Sequence, residues 1–280
     1  MAFQLYGRLS DEEQLLVRRM EELYARAGNG SPALSSFLNS REQFIIQQML
    51  PRYFAGDESD PLCFFWGGYP DAERAIFCCL PAYYRYALTE DTSPADVCRD
   101  ELSAAITPLR VKSSGYVRLA HRDFLGALTG LGIDRAALGD ILLDDEGAIL
   151  FASPKVADFL KNELVSIGRD KVKTVDVTLP VDFRYTRSFE SIRGTVASAR
   201  LDGVLSELCR TSRETAKELI RQGLVDHNHF PATEPDAEVA AGDILSARKV
   251  TGCRGGKFVI DSLDERSAKG RLRLEARRYL

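Results

Sequence analysis

The sequence predicts an α+β protein of three consecutive domains, and three observations predict it. Stretches with helically spaced apolar residues alternate with short β-rich runs along the whole chain. Hydrophobic residues make up 45% of it, enough for real cores and too many for a disordered protein. At 280 residues the chain is also long for one compact domain. The expected division is an N-terminal α+β domain over residues 1–90, a second α+β sandwich over 91–183 and a basic module over 184–280.

Ser10 is placed to cap a helix from Asp11 to Ala27, with acidic residues in its first turn and Leu15, Leu16, Met20 and Leu23 as its buried stripe. Gly28 to Pro32 ends it. A second helix, Ser40 to Met49, is expected with Ser40 as its cap and Phe44, Ile45 and Met49 on its apolar side. Pro61 to Trp66 then predicts a strand, Gly67 to Asp71 a turn and Arg74 to Leu80 the returning strand, with Trp66 and its aromatic neighbours in the core. The polar run Ala87 to Asp96, with Ser93-Pro94, marks a boundary.

Beyond it the pattern predicts a strand at Leu102–Val111, a helix at His121–Gly130, a helical turn at Arg135–Leu138 and strands at Asp140–Leu143 and Ala148–Phe151. A helix from Pro154 to about Ile167 and a strand at Val172–Leu179 complete the domain. Strand, helix, two strands, helix, strand is the order of an RRM-like sandwich. RRM modules bind RNA through exposed strand aromatics. Neither Leu102–Val111 nor Asp140–Leu143 carries the K/R-G-F-G-F pattern, so this domain is expected to be a scaffold.

The informative stretch is Ala199 to Ile260. Leu201, Val204, Leu205 and Leu208 are helically spaced, and a second short helix is predicted from Thr211, its expected cap, to about Gln222, with Glu214 completing a capping box. Ala216, Leu219 and Ile220 gather on one side of that helix, beside a stripe of Arg213, Lys217 and Arg221. One face can pack and the next can hold anions. Gly223 is a C′ glycine, and Leu224–His227, Phe230–Ala232 and Ile244–Val250 predict strands, turning at Asn228-His229 and Gly242-Asp243. The tail from Lys269 to Leu280 alternates Arg271, Arg273 and Glu275 with Leu272, Leu274 and Ala276, a strand with a basic outward edge.

This stretch resembles the S4 RNA-binding domain. The likeness is carried by Arg200-Leu201-Asp202, Thr211-Ser212-Arg213, Ala216, Ile220, Gly223-Leu224-Val225, Asn228 and Gly242-Asp243-Ile244. Asn228-His229 stands where the family has Asn-Gly, and His227 replaces an apolar residue. In that family, paired helices present basic and hydroxyl side chains to RNA phosphates, which implies that role for Arg200, Ser212, Arg213 and Lys217. The spacing of charges adds Arg221, and Arg248, Arg254 and Lys257 from neighbouring segments complete the expected continuous surface. Further back, Gly67 to Arg74, His121 to Leu128 and Leu131-Gly132-Ile133 through Leu138-Gly139-Asp140-Ile141 make the chain similar to the YlmH-like family of S4-domain proteins, from about Ser10 onward. That resemblance implies a cytoplasmic protein on the large ribosomal subunit, contacting ribosomal RNA and a peptidyl-tRNA in rescue of stalled translation.

Charge agrees with local rather than overall anion binding. The net charge is −4, yet residues 184–280 hold 18 Lys and Arg against 14 Asp and Glu, a balance of +4, while residues 1–183 stand at −8. The six cysteines include no C-x-x-C and there are three histidines, so no metal site is expected, and buried free thiols are. No apolar run is long enough for a membrane helix, and the start lacks the apolar core of a signal peptide.

Three stretches look catalytic at first sight. His121-Arg122-Asp123 copies three letters of the kinase catalytic loop, but Leu128 stands where the metal-holding asparagine belongs; His121 is expected to cap or pack its helix, or to touch RNA beside Arg118 and Arg122. Arg200-Leu201-Asp202 matches the R-L-D of pseudouridine synthases without the catalytic domain, leaving Asp202 as a helix-dipole charge. Gly252 to Phe258 fails as a P-loop because Phe258 replaces the Ser or Thr that binds magnesium; it is expected instead as a mobile loop carrying Arg254 and Lys257. The leading expectation is a non-enzymatic RNA binder with no cofactor, membrane or small-molecule substrate. An RNA-modifying enzyme that uses the module for substrate delivery and a purely structural protein partner are the alternatives.

Overall fold

The computed structural model describes residues 9–180, 182–263 and 270–279. They form two compact units, Leu9–Tyr185 and the chain from Thr186 onward. The boundary expected near residue 90 falls inside the first unit.

The first unit opens with α1 (Asp11–Gly28), β1 (Ala33–Leu38), α2 (Ser40–Met49), α3 (Pro51–Phe54), β2 (Leu62–Trp66) and β3 (Ala75–Leu80). Ser10 caps α1 in a full capping box with Glu13. Met20 is buried on its inner side, but Leu15 points outward at 46% exposure, against expectation. The α2 cap is Asn39 rather than Ser40, because the Asn39 side chain reaches the Glu42 N–H at 3.0 Å while Glu42 reaches back. The strands form an antiparallel sheet in the order β1-β3-β2. Its central strand, β3, is apolar throughout because both faces are covered. Phe77 and Cys79 pack with Met20, Ile46 and Tyr53 of the helices, whereas Ile76, Cys78 and Leu80 face a second cluster.

After a 3-10 turn (Ala82–Ala87) come α4 (Pro94–Val97), α5 (Arg99–Ala105), β4 (Thr107–Ser113), α6 (His121–Gly130), β5 (Leu138–Asp144), β6 (Gly147–Ala152), α7 (Pro154–Glu163), β7 (Ser166–Ile167) and β8 (Asp170–Asp176). The expected strand from Leu102 is therefore half helix: α5 buries Leu102, and β4 starts only beyond Ile106. The helix from Pro154 stops at Glu163, and Ser166–Ile167 instead pair with Asp170–Lys171 around Gly168, whose φ of 58° suits glycine. These strands form one antiparallel sheet, β5-β6-β4-β8-β7. Leu109, Val111 and Leu150 on one face pack with Phe124, Leu128 and Leu160 of α6 and α7.

On the other face, Leu142, Ile149 and Phe151 join Phe37, Leu62, Tyr69 and Ile76 in a cluster shared by both sheets of the unit. Asp140 latches them together. It accepts hydrogen bonds from the Tyr69 hydroxyl at 2.6 Å, the Glu73 N–H at 2.7 Å and the Arg74 N–H at 3.0 Å. Two of the stretches that carried the family likeness therefore meet. Nothing larger than glycine fits at their contact, since a Cβ on Gly68 would lie 2.4 Å from the Phe151 ring and one on Gly139 2.7 Å from Phe37.

The second unit consists of β9 (Phe189–Val196), α8 (Leu201–Cys209), α9 (Arg213–Arg221), β10 (Val225–His227), β11 (Phe230–Pro231), β12 (Ile244–Ala247), β13 (Gly256–Ser262) and β14 (Leu272–Tyr279). The sheet order is β11-β10-β12-β13-β14-β9. The tail strand is thus an interior strand, not an edge; Lys269 and Leu280 of the expected run lie outside the described residues. Leu274 and Ala276 face the core while Arg273, Glu275 and Arg277 alternate outward. All six cysteines are free and buried, and burial pushes the Cys98 thiol up to about 12.

Candidate nucleic-acid interface

The helix pair is set by its apolar residues. Leu201, Val204, Leu205 and Leu208 of α8 and Ala216, Leu219 and Ile220 of α9 are buried in one cluster with Leu245, Phe258 and Leu274 of the sheet. Each large aliphatic side chain so buried contributes about 1.5–3 kcal/mol. Arg210 ends α8 in the left-handed region at φ 52°, and the chain re-enters helix at once. The α9 cap is Ser212, one residue beyond the expected Thr211, with its Oγ accepting the Thr215 N–H at 3.0 Å. Gly223, at φ 66°, closes α9: its N–H reaches the Ile220 carbonyl and the Leu224 N–H the Leu219 carbonyl, each at 3.0 Å, a Schellman motif.

Asp202 is more than a helix-dipole charge. Its side chain is fully buried in the first turn of α8, where it accepts hydrogen bonds from Arg213 at 2.8 Å and Arg200 at 3.4 Å. Burial raises its pKa, but the bonds from Arg213 and Arg200 and their charges outweigh this and hold the carboxyl below its ordinary range. The arginines stay partly open, with side chains 46% and 42% exposed. One buried anion thus fixes two half-exposed guanidinium groups from different segments. The spacing of R-L-D and T-S-R in the sequence carried this signal only through the family resemblance.

The remaining nominated residues are distributed as follows. Lys217 continues the stripe on α9 and pairs with Glu214 at 2.7 Å. Arg221 and Arg248 are exposed, and neither has an ion pair among the described residues. Arg254 is drawn away. Its N–H meets the Cys209 carbonyl at the far end of α8 from Arg200, about 13 Å along a nine-residue helix. Both of its terminal nitrogens engage Glu190, at 2.8 Å in the longer contact, and Glu190 also lies 3.5 Å from Arg278. Its loop is closely packed rather than open, since a Cβ on Gly255 would lie 2.6 Å from the Lys249 backbone. Lys257 precedes the buried Phe258 in β13 and so lies on the opposite sheet face, 4.7 Å over the Tyr279 ring. The structure therefore groups Arg200, Ser212, Arg213, Lys217 and Arg221 around the helix pair and does not bring Arg254 and Lys257 to them.

The β10–β11 hairpin keeps a tight two-residue turn despite lacking Asn-Gly. Asn228 and His229 have φ of 48° and 69°, as a type I′ turn requires. The strain is held by Asp243, a buried carboxylate bonded to His227 at 2.7 Å, Asn228 at 2.7 Å and the Ala240 N–H at 2.8 Å. Burial pushes its pKa up, and the bonds from His227, Asn228 and Ala240 together pull it below the usual range. His227, the other departure in the hairpin, is thus a partner for this carboxylate.

Asp123 of the kinase-like triplet accepts the Ala120 N–H at 2.8 Å at the start of α6 and serves as a helix cap. His121 is the first residue of that helix, where partial burial, then the charge of Arg135, lowers its pKa. Among the described residues, no group of three or more His, Cys, Asp or Glu is placed to hold a metal ion, and no helix is long and apolar enough to cross a membrane.

An α+β protein with a carboxylate-anchored basic helix pair is the class these features define. Residues 105–180, the span of β4 to β8, match the family model described as a putative RNA-binding domain in YlmH. Over 227 residues the chain is 30% identical to the ribosome-associated protein quality control protein P2 of Bacillus subtilis (strain 168), covering 79% of each. A solved structure, the cell division protein YlmH from Streptococcus pneumoniae, is 21% identical with a TM-score of 0.43, covering 62% of this chain and 96% of that one. The chain belongs to the YlmH-like family.

Proposed function

We propose that this protein is a non-enzymatic, ribosome-associated RNA-binding protein of translation quality control, and that its C-terminal module is of the S4 type. The observation that carries this reading is the Asp202 anchor, which holds Arg200 and Arg213 half exposed at the mouth of the α8–α9 pair. The name of the Bacillus subtilis relative supports it. In this reading Arg200, Ser212, Arg213, Lys217 and Arg221 meet RNA phosphates. Arg248, whose N–H bonds the Leu224 carbonyl just beyond α9, extends this set; Arg254 and Lys257 are outlying contacts, and Arg254 engages RNA only by leaving Glu190. Lys and Arg supply affinity by displacing counterions from the RNA backbone.

The partner is the RNA of the large ribosomal subunit together with a peptidyl-tRNA, in the cytoplasm, during rescue of stalled translation. Residues 1–90, 91–183 and 184–280 serve as the three architectural parts, the first two sharing the Phe151 cluster. The test is co-sedimentation of the full chain with large ribosomal subunits. Lys217→Glu with Arg221→Glu, which leaves the Asp202 anchor untouched, is expected to abolish it while leaving the melting transition in place. Undiminished co-sedimentation of a folded variant overturns the assignment.

A further inference from the structure

The face of the five-stranded sheet turned away from α6 and α7 is closed over its β5–β6 half only. Leu142, Ile149 and Phe151, on β5 and β6, are sealed in the cluster around Tyr69. The β4–β8 half is different. Lys112 of β4 stands directly opposite Lys173 of β8, and Lys171 lies two residues along the same face. All three are exposed and have no ion pair among the described residues. Their neighbour Arg110 is engaged by Asp144.

A buried carboxylate organises the end of this strip. Asp170 accepts the Ser113 hydroxyl at 2.6 Å, the Ser114 N–H at 3.2 Å and the Ser114 hydroxyl, tying the β4–α6 loop to the β7–β8 turn. The loop carries Tyr116, a residue 93% exposed, and Arg118; the turn carries Arg169. Arg118 and Arg169 are likewise exposed and lack an ion pair among the described residues. Other acidic groups nearby are occupied, Asp144 by Arg110 and Asp176 by Lys161, while Asp145 and Glu146 sit on the β5–β6 turn. Five uncompensated cations are thus collected on one end of a segment, residues 1–183, whose net charge is −8.

We propose that this strip is a second RNA contact: backbone phosphates of an unpaired RNA segment lie along Lys112, Lys173 and Lys171, with Arg118 and Arg169 beyond them, and a base stacks on Tyr116. The proposal deepens the RNA-binding reading and rests on it. RNA is favoured over an acidic protein because an exposed tyrosine, on the loop that Asp170 ties to the end of the lysine row, supplies a stacking surface to go with phosphate-binding ammonium groups. The closed half of the sheet leaves no room for the usual strand aromatics of an RRM.

The test is a salt titration of the full chain with fluorescein-labelled polyuridylate. Lys112→Ser, Lys171→Ser and Lys173→Ser combined should lower the slope of log K against log salt by about 2, from three phosphate contacts at about 0.7 each on a single strand. The triple arginine variant should keep the original slope, and Tyr116→Ala should weaken binding about tenfold. An unchanged slope in the serine variant, with its melting temperature preserved, overturns the proposal. So does loss of binding to an oligoglutamate peptide with the polyuridylate slope intact, which would mark a protein-docking face. Lys217→Glu with Arg221→Glu in the same titration reports on the helix-pair site alone, so the two readings fail separately.

Discussion

Replacing Asp202 by asparagine keeps the shape of the side chain and removes its charge, so it isolates what the buried anion does. Three hydrogen bonds are affected, one from Arg213 at 2.8 Å and two from Arg200 at 3.4 Å. Hydrogen bonds to charged groups contribute about 1.5–3 kcal/mol, the longer ones less, and water screens guanidinium groups exposed by nearly half. The expected cost is about 2 kcal/mol. For a unit of this size, 1 kcal/mol moves the melting temperature by about 4–8 °C, so the shift should be roughly 8–16 °C. The pH dependence identifies the cause. The folded-state pKa of Asp202 is lowered, so its contribution is fully present above the unfolded carboxylate value of about 4 and is lost as pH falls through the folded value. Urea unfolding of wild type and Asp202→Asn should therefore show a gap at neutral pH that closes in the acid range. A gap that is the same at both ends of the titration, or no coupling to Arg213→Ala in a double-mutant cycle, would refute the reasoning.

Asp243→Ala, which leaves His227, Asn228 and the Ala240 N–H without their shared acceptor, should cost about 2–4 kcal/mol in chemical denaturation. Because the Asp243 pKa is also lowered on folding, the difference from wild type should shrink as the solution is acidified. Gly223→Ala places a Cβ at φ 66° and should destabilise by about 1–2 kcal/mol, measurable as a lower urea midpoint with unchanged slope. Tyr69→Phe removes the 2.6 Å hydrogen bond to Asp140 and should cost about 1–2 kcal/mol by thermal melting. The six buried thiols should resist a thiol-titrating reagent in the native protein and react fully in guanidinium.

Much of the fold was legible because its signals are local. His121–Gly130 is a helix over the expected residues, and the apolar sets of α8 and α9 face one core. What escaped was set by tertiary context. β1 was missed because a bulge between Leu34 and Phe37 breaks its alternation, leaving Ser35 and Ser36 in the middle of the strand. β9 was missed because, of its eight residues, only Val196 is fully buried. The nominated cations were identifiable by type but not by direction. Period 2 sends Lys257 away from Phe258, and only a distant residue, Glu190, could show where Arg254 turns. The Lys112–Lys173 pairing was likewise invisible before the register of β4 and β8 was known.

The double coverage of β3 bears on how this chain can be cut. A fragment spanning 105–180 would retain the β4–β8 strands and yet uncover Phe151, Ile149 and Leu142, whose partners Phe37, Leu62 and Ile76 come from the discarded part. Such a piece would carry a greasy slab on one sheet face, and self-association would masquerade as binding. The shortest excised piece that keeps its interior dry must therefore begin near Leu9 and run to Tyr185.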